Sequence, residues 1–210
     1  ADGSGSNREN LGRAAELLKE AGWSVEGGKL TRDGQPFAFE ILLPSPQYER
    51  VVLPYKNNLS RIGIDASVRT VDTSQYRRRL DDFDFDMTMS VFGQSESPGN
   101  EQREFWGSEA AGRQGSRNLI GIQDPVVDAL IEKIIAAPDR QSLVHATRAL
   151  DRVLQWGHYV VPNWYLAKQR IAYWNRFGRP AVVPKAGVQV DAWWWDPEKA
   201  AALEKRPAAN

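Results

Sequence analysis

Ile64 to Phe92 reads I-D-A-S-V-R-T-V-D-T-S-Q-Y-R-R-R-L-D-D-F-D-F-D-M-T-M-S-V-F. Ile64 to Val71 alternates apolar and polar residues, the period of a β-strand. Asp72, Thr73 and Ser74 are N-cap residue types, and they open a short helix through Leu80. From Phe83 to Phe92 the alternation returns and predicts another strand, with Phe83, Phe85 and Met87 facing opposite to Asp84 and Asp86. The pattern extends upstream. Phe37 to Leu43 (F-A-F-E-I-L-L) reads as a strand ended by Pro44 and Pro46. Tyr48 to Ile62 follows as a helix that Pro54 is expected to kink or break in its first turns, and Gly63 closes it. Strand, helix, strand, helix, strand implies an α/β sheet with parallel neighbours and right-handed crossovers.

Around this unit, Asn7 to Ala21 reads as a helix that Asn7 can cap and Gly22 stops. Leu30 to Pro36 reads as a turn about Asp33-Gly34 between short strands. Gly99 to Trp106 reads as helical, and Ala110 to Ser116 as a polar linker. Asp124-Pro125 opens a helix through Ala137, with Val126, Val127, Leu130, Ile131 and Ile134 on one face. Asp139 caps a long helix to about Trp156. Tyr159 to Tyr165 and Arg170 to Trp174 read as short strands, and the Pro/Ala-rich tail has little periodicity.

Composition narrows the function classes. In 210 residues, Lys+Arg and Asp+Glu both number 27, so nothing electrostatic points to nucleic acid or an anionic membrane. The absence of cysteine removes disulfide and thiolate chemistry and fits any redox compartment. The apolar runs are too short to span a bilayer. Ala1 to Ser6 (A-D-G-S-G-S) reads as an opened loop rather than a secretory leader. Tryptophan is abundant, eight in all, with Trp193, Trp194 and Trp195 consecutive. Indole rings serve cores, ligand pockets and interfaces alike.

Chemistry-bearing residues are sparse. His145 and His158 have no metal-ligand neighbour at helical spacing. Asp81, Asp82, Asp84 and Asp86 form an acidic cluster whose alternation with Phe83, Phe85 and Met87 suits a sheet rim as well as acid/base work. No nucleophile elbow, P-loop, dinucleotide fingerprint or zinc-protease motif occurs. Arg77, Arg78 and Arg79 read as a solvated helix face. The remaining candidate is S-E-S-P-G-N-E-Q-R-E-F-W (95–106). It follows the strand ending at Phe92, and open α/β sheets bind ligands outside the carboxyl ends of their strands. Ser95, Ser97 and Asn100 can hydrogen-bond in either direction. Ser116-Arg117-Asn118 and Pro162-Asn163-Trp164-Tyr165 are further polar stretches that could face the same crevice.

Several segments carry a family resemblance: A-A-E-L-L-K-E-A-G-W (14–23), G-K-L-T-R-D-G-Q-P-F-A-F-E-I-L-L (28–43), L-S-R-I-G-I-D-A-S-V-R-T-V-D-T-S-Q-Y (59–76) and D-F-D-M-T-M-S-V-F-G (84–93). With S-P-G-N-E-Q-R-E-F-W (97–106) and S-R-N-L-I-G-I-Q-D-P-V-V-D-A-L-I (116–131), the chain resembles the C-terminal lobe of family 5 extracellular solute-binding proteins. These are the peptide and nickel receptors of ABC importers, and the oligopeptide and microcin C branch is nearest.

The resemblance implies a periplasmic-binding-protein type II lobe, α/β, with a central mixed sheet and flanking helices. It implies a single ligand-binding lobe over residues 1–187 and a tail, 188–210, that returns to a missing N-terminal lobe. The implied function is non-enzymatic and periplasmic: binding a short peptide or peptide-like ligand and passing it to ABC permease subunits, with no cofactor and no nucleic acid. In many peptide-binding relatives the loop after the third strand carries an Asp that pairs with the ligand's ammonium. Here Gly93-Gln94-Ser95-Glu96-Ser97 stands instead, with Glu96 the nearest acid. The expected pocket wall is Phe92, Ser95, Glu96, Ser97, Asn100, Arg117, Asn118, Trp164 and Tyr165. Arg103 either meets a ligand anion or holds its own loop. Two alternatives stand beside this reading: a hydrolase using Glu96 with an acid of the Asp81–Asp86 cluster, and an interaction module docking through its Trp-rich tail.

Overall fold

Apolar residues on both faces of a strand call for cover on both sides, and the central strand here has it. The computed structural model describes residues 6–164, 170–183 and 187–204. They group into two units, Ala1–Val161 and Pro162–Asn210.

In the first unit, helix α1 (Asn7–Glu20) is capped by Ser6 rather than Asn7. Ser6 Oγ accepts from Glu9 N at 3.2 Å, and the Glu9 carboxylate accepts from Ser6 N at 3.0 Å. This reciprocal pair satisfies two otherwise open donors, and Asn7 instead donates to the Asn58 side chain. Strands β1 (Ser24–Glu26), β2 (Lys29–Arg32) and β3 (Gln35–Pro36) form an antiparallel meander. Asp33 and Gly34, at φ 55° and 75°, make the expected turn.

Strand β4 (Ala38–Leu43) is followed by a 3-10 turn at Pro46–Tyr48, helix α2 (Glu49–Ser60), strand β5 (Asp65–Thr70), helix α3 (Thr73–Asp81) and strand β6 (Met87–Thr88). β4 pairs in parallel with both neighbours, in the order β5-β4-β6. Pro54 lies inside α2 without ending it. It is the sixth helical residue, so its missing N–H removes a single bond near the helix start.

The two sides of β4 carry different chemistry. Ile41 and Leu43 join Ala66 and Val52 in a buried cluster, with Tyr48, Tyr55 and Leu59 of the α2 side packed on it. On the other face Glu40 bonds Arg69 Nε at 2.5 Å and Arg79 Nη1 at 2.9 Å. Tyr76 of α3 reaches Thr88 Oγ1 at 2.9 Å on that same face. α2 and α3 therefore cover opposite faces.

The strand expected over 83–92 is pared to Met87–Thr88. Phe83 sits at φ 55°, and Asp84 N bonds Arg79 O, so 83–85 wraps the end of α3. Asp86 supplies a carboxylate, not a backbone carbonyl, to Glu40 N at 2.8 Å. The alternation of Phe and Asp there reflects a turn with one apolar side, and period alone does not separate the two.

The Glu40 network makes stability depend on pH. The Arg69 hydrogen bond, opposed by burial and aided by Arg79, holds the Glu40 carboxyl below its usual 4.5. A depressed native value contributes stability above the unfolded value, lost as pH falls through the native one. Glu40→Gln is expected to cost about 1 kcal/mol near neutrality, a modest figure because solvent screens the exposed Arg69. In paired urea titrations the gap between wild type and variant should narrow progressively as pH falls below the usual 4.5. A gap independent of pH would mean that the charge is not what matters.

The rest of the unit is helical: α4 (Glu101–Trp106), a 3-10 turn at Ser108–Ala110, α5 (Pro125–Ile135) and α6 (Arg140–Trp156). Asp124 and Asp139 cap α5 and α6 as expected, accepting from Val126 N at 2.8 Å and Ser142 N at 2.7 Å. Phe105, Trp106, Ile122, Val127, Ile131, Ile134 and Leu150 form the second core cluster.

The second unit pairs β7 (Phe177–Gly178) with β8 (Trp194–Trp195), antiparallel, and ends in α7 (Pro197–Glu204). Trp193 packs against Tyr173 and Phe177, whereas Trp194 and Trp195 are about half exposed. The strands expected over 159–165 and 170–174 do not form among the described residues. No ladder partner is present there, and Pro162 withholds a donor. Among the described residues no helix is long and apolar enough to cross a membrane.

Candidate functional site

The order β5-β4-β6 sends the chain one way from β4 and then back past it. That reversal opens a crevice beyond the carboxyl ends of β4 and β6. The segment leaving β6 there, Met89 to Asn100, has no regular secondary structure. Tyr76 donates to Met89 O at 2.8 Å and fixes its start. Phe92 then packs on Trp106 (ring centroids 4.6 Å apart) and on Phe105 (5.8 Å).

Beyond Phe92 the loop is tied to α4. Gln102 is only 4% exposed. Its Nε2 donates to Gln94 Oε1 at 2.7 Å, and its Oε1 accepts from Trp106 Nε1 at 3.1 Å. Glu101 Oε1 accepts from Gly99 N at 3.0 Å. Partial burial works against charge at Glu101, but the backbone N–H groups of Glu101 and Gly99 outweigh it and hold the carboxyl below its usual value. Ser97 N donates to Ser95 Oγ at 3.2 Å.

Between this loop and α6 lies a cleft of about 440 Å³. Phe92, Trp106, Leu143, Leu150 and Leu154 make it apolar. Ser95, Glu96, Arg140, Arg148 and Asp151 give it polar groups of both signs. A second hollow of about 380 Å³ is lined by Ser97, Asn100, Ile134, Ile135 and Asp139 and shares Pro98, Arg140 and Leu143 with the first. Neither has the donor set of a metal site, and no cluster of three metal-ligating side chains exists among the described residues.

The expected site residues divide. Phe92, Ser95 and Glu96 line the larger cleft, and Ser97 and Asn100 the smaller. Arg103 makes a fork with Glu132 at 2.8 and 2.7 Å and also donates to Asn100, so it holds α4 to α5. Arg117 lies over the Phe105 ring, 4.0 Å from its centroid, and lines neither cleft. Asn118 is 0% exposed, with its amide committed to backbone groups of its own loop. Trp164 is 58% exposed and belongs to the second unit. Tyr165 lies outside the described residues.

The acidic cluster is likewise engaged: Asp81 with Arg77, Asp82 with Gln114, Asp84 with Arg79, and Asp86 with Glu40 N. Sequence reasoning missed the α6 wall. Leu143, Thr147, Leu150 and Leu154 recur at helical spacing. That stripe could have marked the wall, but nothing local marks Arg140.

A parallel sheet covered on both faces, with a loop-rimmed cleft near its carboxyl edge, is the architecture of a type II periplasmic-binding-protein lobe. Fold comparison agrees. The oligopeptide-binding protein AppA from Bacillus subtilis, solved with a nonapeptide, superposes with TM-score 0.61 at 21% identity, over 68% of this chain and 29% of that one. The model for bacterial extracellular solute-binding proteins, family 5 Middle, matches residues 1–114, and the chain belongs to that family. The protein y4wM of Sinorhizobium fredii is 55% identical over 198 residues, covering 93% of this chain and 30% of the relative. The probable peptide-binding protein YejA of Agrobacterium fabrum is 50% identical over 190 residues, 89% of this chain and 31% of its own length. The chain thus spans about a third of the curated relatives it matches.

Proposed function

We propose that this chain contributes one lobe to a two-lobed, non-enzymatic receptor that binds peptides or peptide-like solutes in the periplasm and delivers them to an ABC permease. Residues 1–187 would form the lobe, with 188–210 returning toward the other. Family membership and the peptide-binding relative support the class. The observation that carries the site is the loop at the carboxyl end of β6. The Glu96 carboxylate and the Ser97 hydroxyl point to no protein partner among the described residues. Ligand contacts made by both lobes would favour the closed state, so binding energy drives closure. The hydrolase alternative needs a second free acid, and each acid of the Asp81–Asp86 cluster already has a partner.

The test is calorimetric titration of the full-length receptor with tri- to nonapeptides. Micromolar binding is expected for some of them, with a fluorescence change on closure. Ser95→Ala combined with Ser97→Ala should weaken binding about thirtyfold if each hydroxyl contributes an ordinary hydrogen bond of about 1 kcal/mol. Glu96→Gln should lower affinity for free-amine peptides about tenfold and leave N-acetylated ones unchanged. A receptor that ignores the whole peptide panel would sink the peptide reading. Equal losses on both peptide forms would remove the amine contact.

A further inference from the structure

We infer that Arg140 is the positioning residue of the 93–98 loop, holding the loop's backbone so that Ser95 and Glu96 are presented to ligand. The inference rests on the reading of that loop as the ligand-contacting segment. Arg140 Nη1 donates to the Glu96 carbonyl at 2.6 Å, a bond spanning 44 residues of sequence. The loop's other hydrogen bonds are local: Ser97 N to Ser95, Gly99 N to Glu101, and Gln102 to Gln94, eight residues apart at most. Local bonds tie the loop to α4, which follows it directly, but not to α6. Two hollows adjoin it, and both are lined by Pro98, Arg140 and Leu143. The loop thus borders open space in both hollows, and the Arg140 bond is its hydrogen bond to α6.

The Arg140 bond stands on a firm base. Arg140 is the first residue of α6, whose start Asp139 fixes through Ser142 N at 2.7 Å. The bond is also simple: one N–H to one neutral carbonyl. A lysine can make it, whereas a guanidinium chosen to grip a ligand carboxylate in a two-pronged bond is not replaceable by lysine. Holding the loop before ligand arrives removes an ordering cost from binding, so its loss should appear mainly in the association rate.

The experiment is hydrogen exchange on the full-length receptor without ligand, followed by peptide-binding kinetics. Arg140→Ala should speed amide exchange about tenfold at Ser97 and Gly99, whose N–H groups donate to Ser95 Oγ and Glu101 Oε1, leaving α5 and the middle of α6 unchanged. Arg140→Lys should restore protection. Glu96→Ala, which keeps the carbonyl, should leave it intact. Peptide association should slow about tenfold in Arg140→Ala and recover in Arg140→Lys. Unchanged exchange in Arg140→Ala overturns the inference, whether or not peptide binds. A lysine variant that behaves like alanine also overturns it and makes the guanidinium a ligand group. If the exchange results hold while wild type ignores every peptide, the role of the Arg140 bond stands and the peptide reading alone fails.

Discussion

Asn118→Asp, a change of one atom, is expected to destabilise the first unit by about 3–5 kcal/mol in urea unfolding. Asn118 Nδ2 donates to Gly107 O and to Ile122 O, both at 3.0 Å. Its Oδ1 accepts from Gly121 N at 3.1 Å and from Ile122 N at 3.0 Å. An aspartate keeps the two accepted bonds and turns the two donated ones into contacts between a carboxylate and carbonyl oxygens, with no solvent to relieve them. Protonation returns one donor, so the deficit against wild type at the same pH should shrink as pH falls. Asn118→Ala is expected to lose about 3 kcal/mol with no such pH dependence, because it strands buried Ile122 N and Gly107 O whatever the pH. A deficit under about 1 kcal/mol in both variants would show that the 107–122 loop relaxes and finds other partners. Gly107 directly follows α4, which carries Gln102 and Trp106. Asn118 therefore supports the cleft floor from behind, and the polar signal that marks it in the sequence is a structural one.

That case separates what the sequence reveals here from what it conceals. β4 and β5 were legible because their side chains alternate and their ends carry breakers: Pro44 after one, Gly63 and Asp72 around the other. α5 and α6 were legible because an Asp cap precedes an apolar stripe in each. These signals are local. The stretch 83–92 misled for the same reason: one apolar side of a turn has the period of a strand, and only the left-handed Phe83 and the Asp86 bond to Glu40 N tell them apart. The site was half legible. Ser95 and Glu96 stand out as polar residues after a strand, whereas the α6 wall and Arg140 join them through contacts that span more than forty residues. Asn118 and Arg117 look the same in sequence as pocket residues. Whether a polar side chain serves its own fold or a ligand is settled by where its hydrogen bonds end.

Gly63→Ala is the second large effect, about 2–4 kcal/mol, and its mechanism can be isolated. Gly63 has φ +85°, and a Cβ there would stand 2.8 Å from Leu30 N, a backbone atom, and 3.3 Å from Leu30 Cβ. Leu30 N donates to Gly63 O at 2.8 Å, so the close approach is itself a hydrogen bond joining the β1–β3 meander to the turn before β5. An added methyl both strains the left-handed backbone and pushes that bond apart. Gly27 is the control: it is left-handed at φ +56° but has nothing within 4 Å of its would-be Cβ. Gly27→Ala should show strain alone, about 1 kcal/mol, and Gly27→Asn less, because asparagine tolerates the left-handed region. Gly63→Asn should fare no better than Gly63→Ala, since asparagine relieves the strain and leaves the collision. If Gly63→Asn recovered as Gly27→Asn does, the backbone conformation alone would account for the glycine, and the contact with Leu30 would contribute nothing. If it does not recover, the meander is fixed to the sheet by a junction that only a residue without Cβ can occupy.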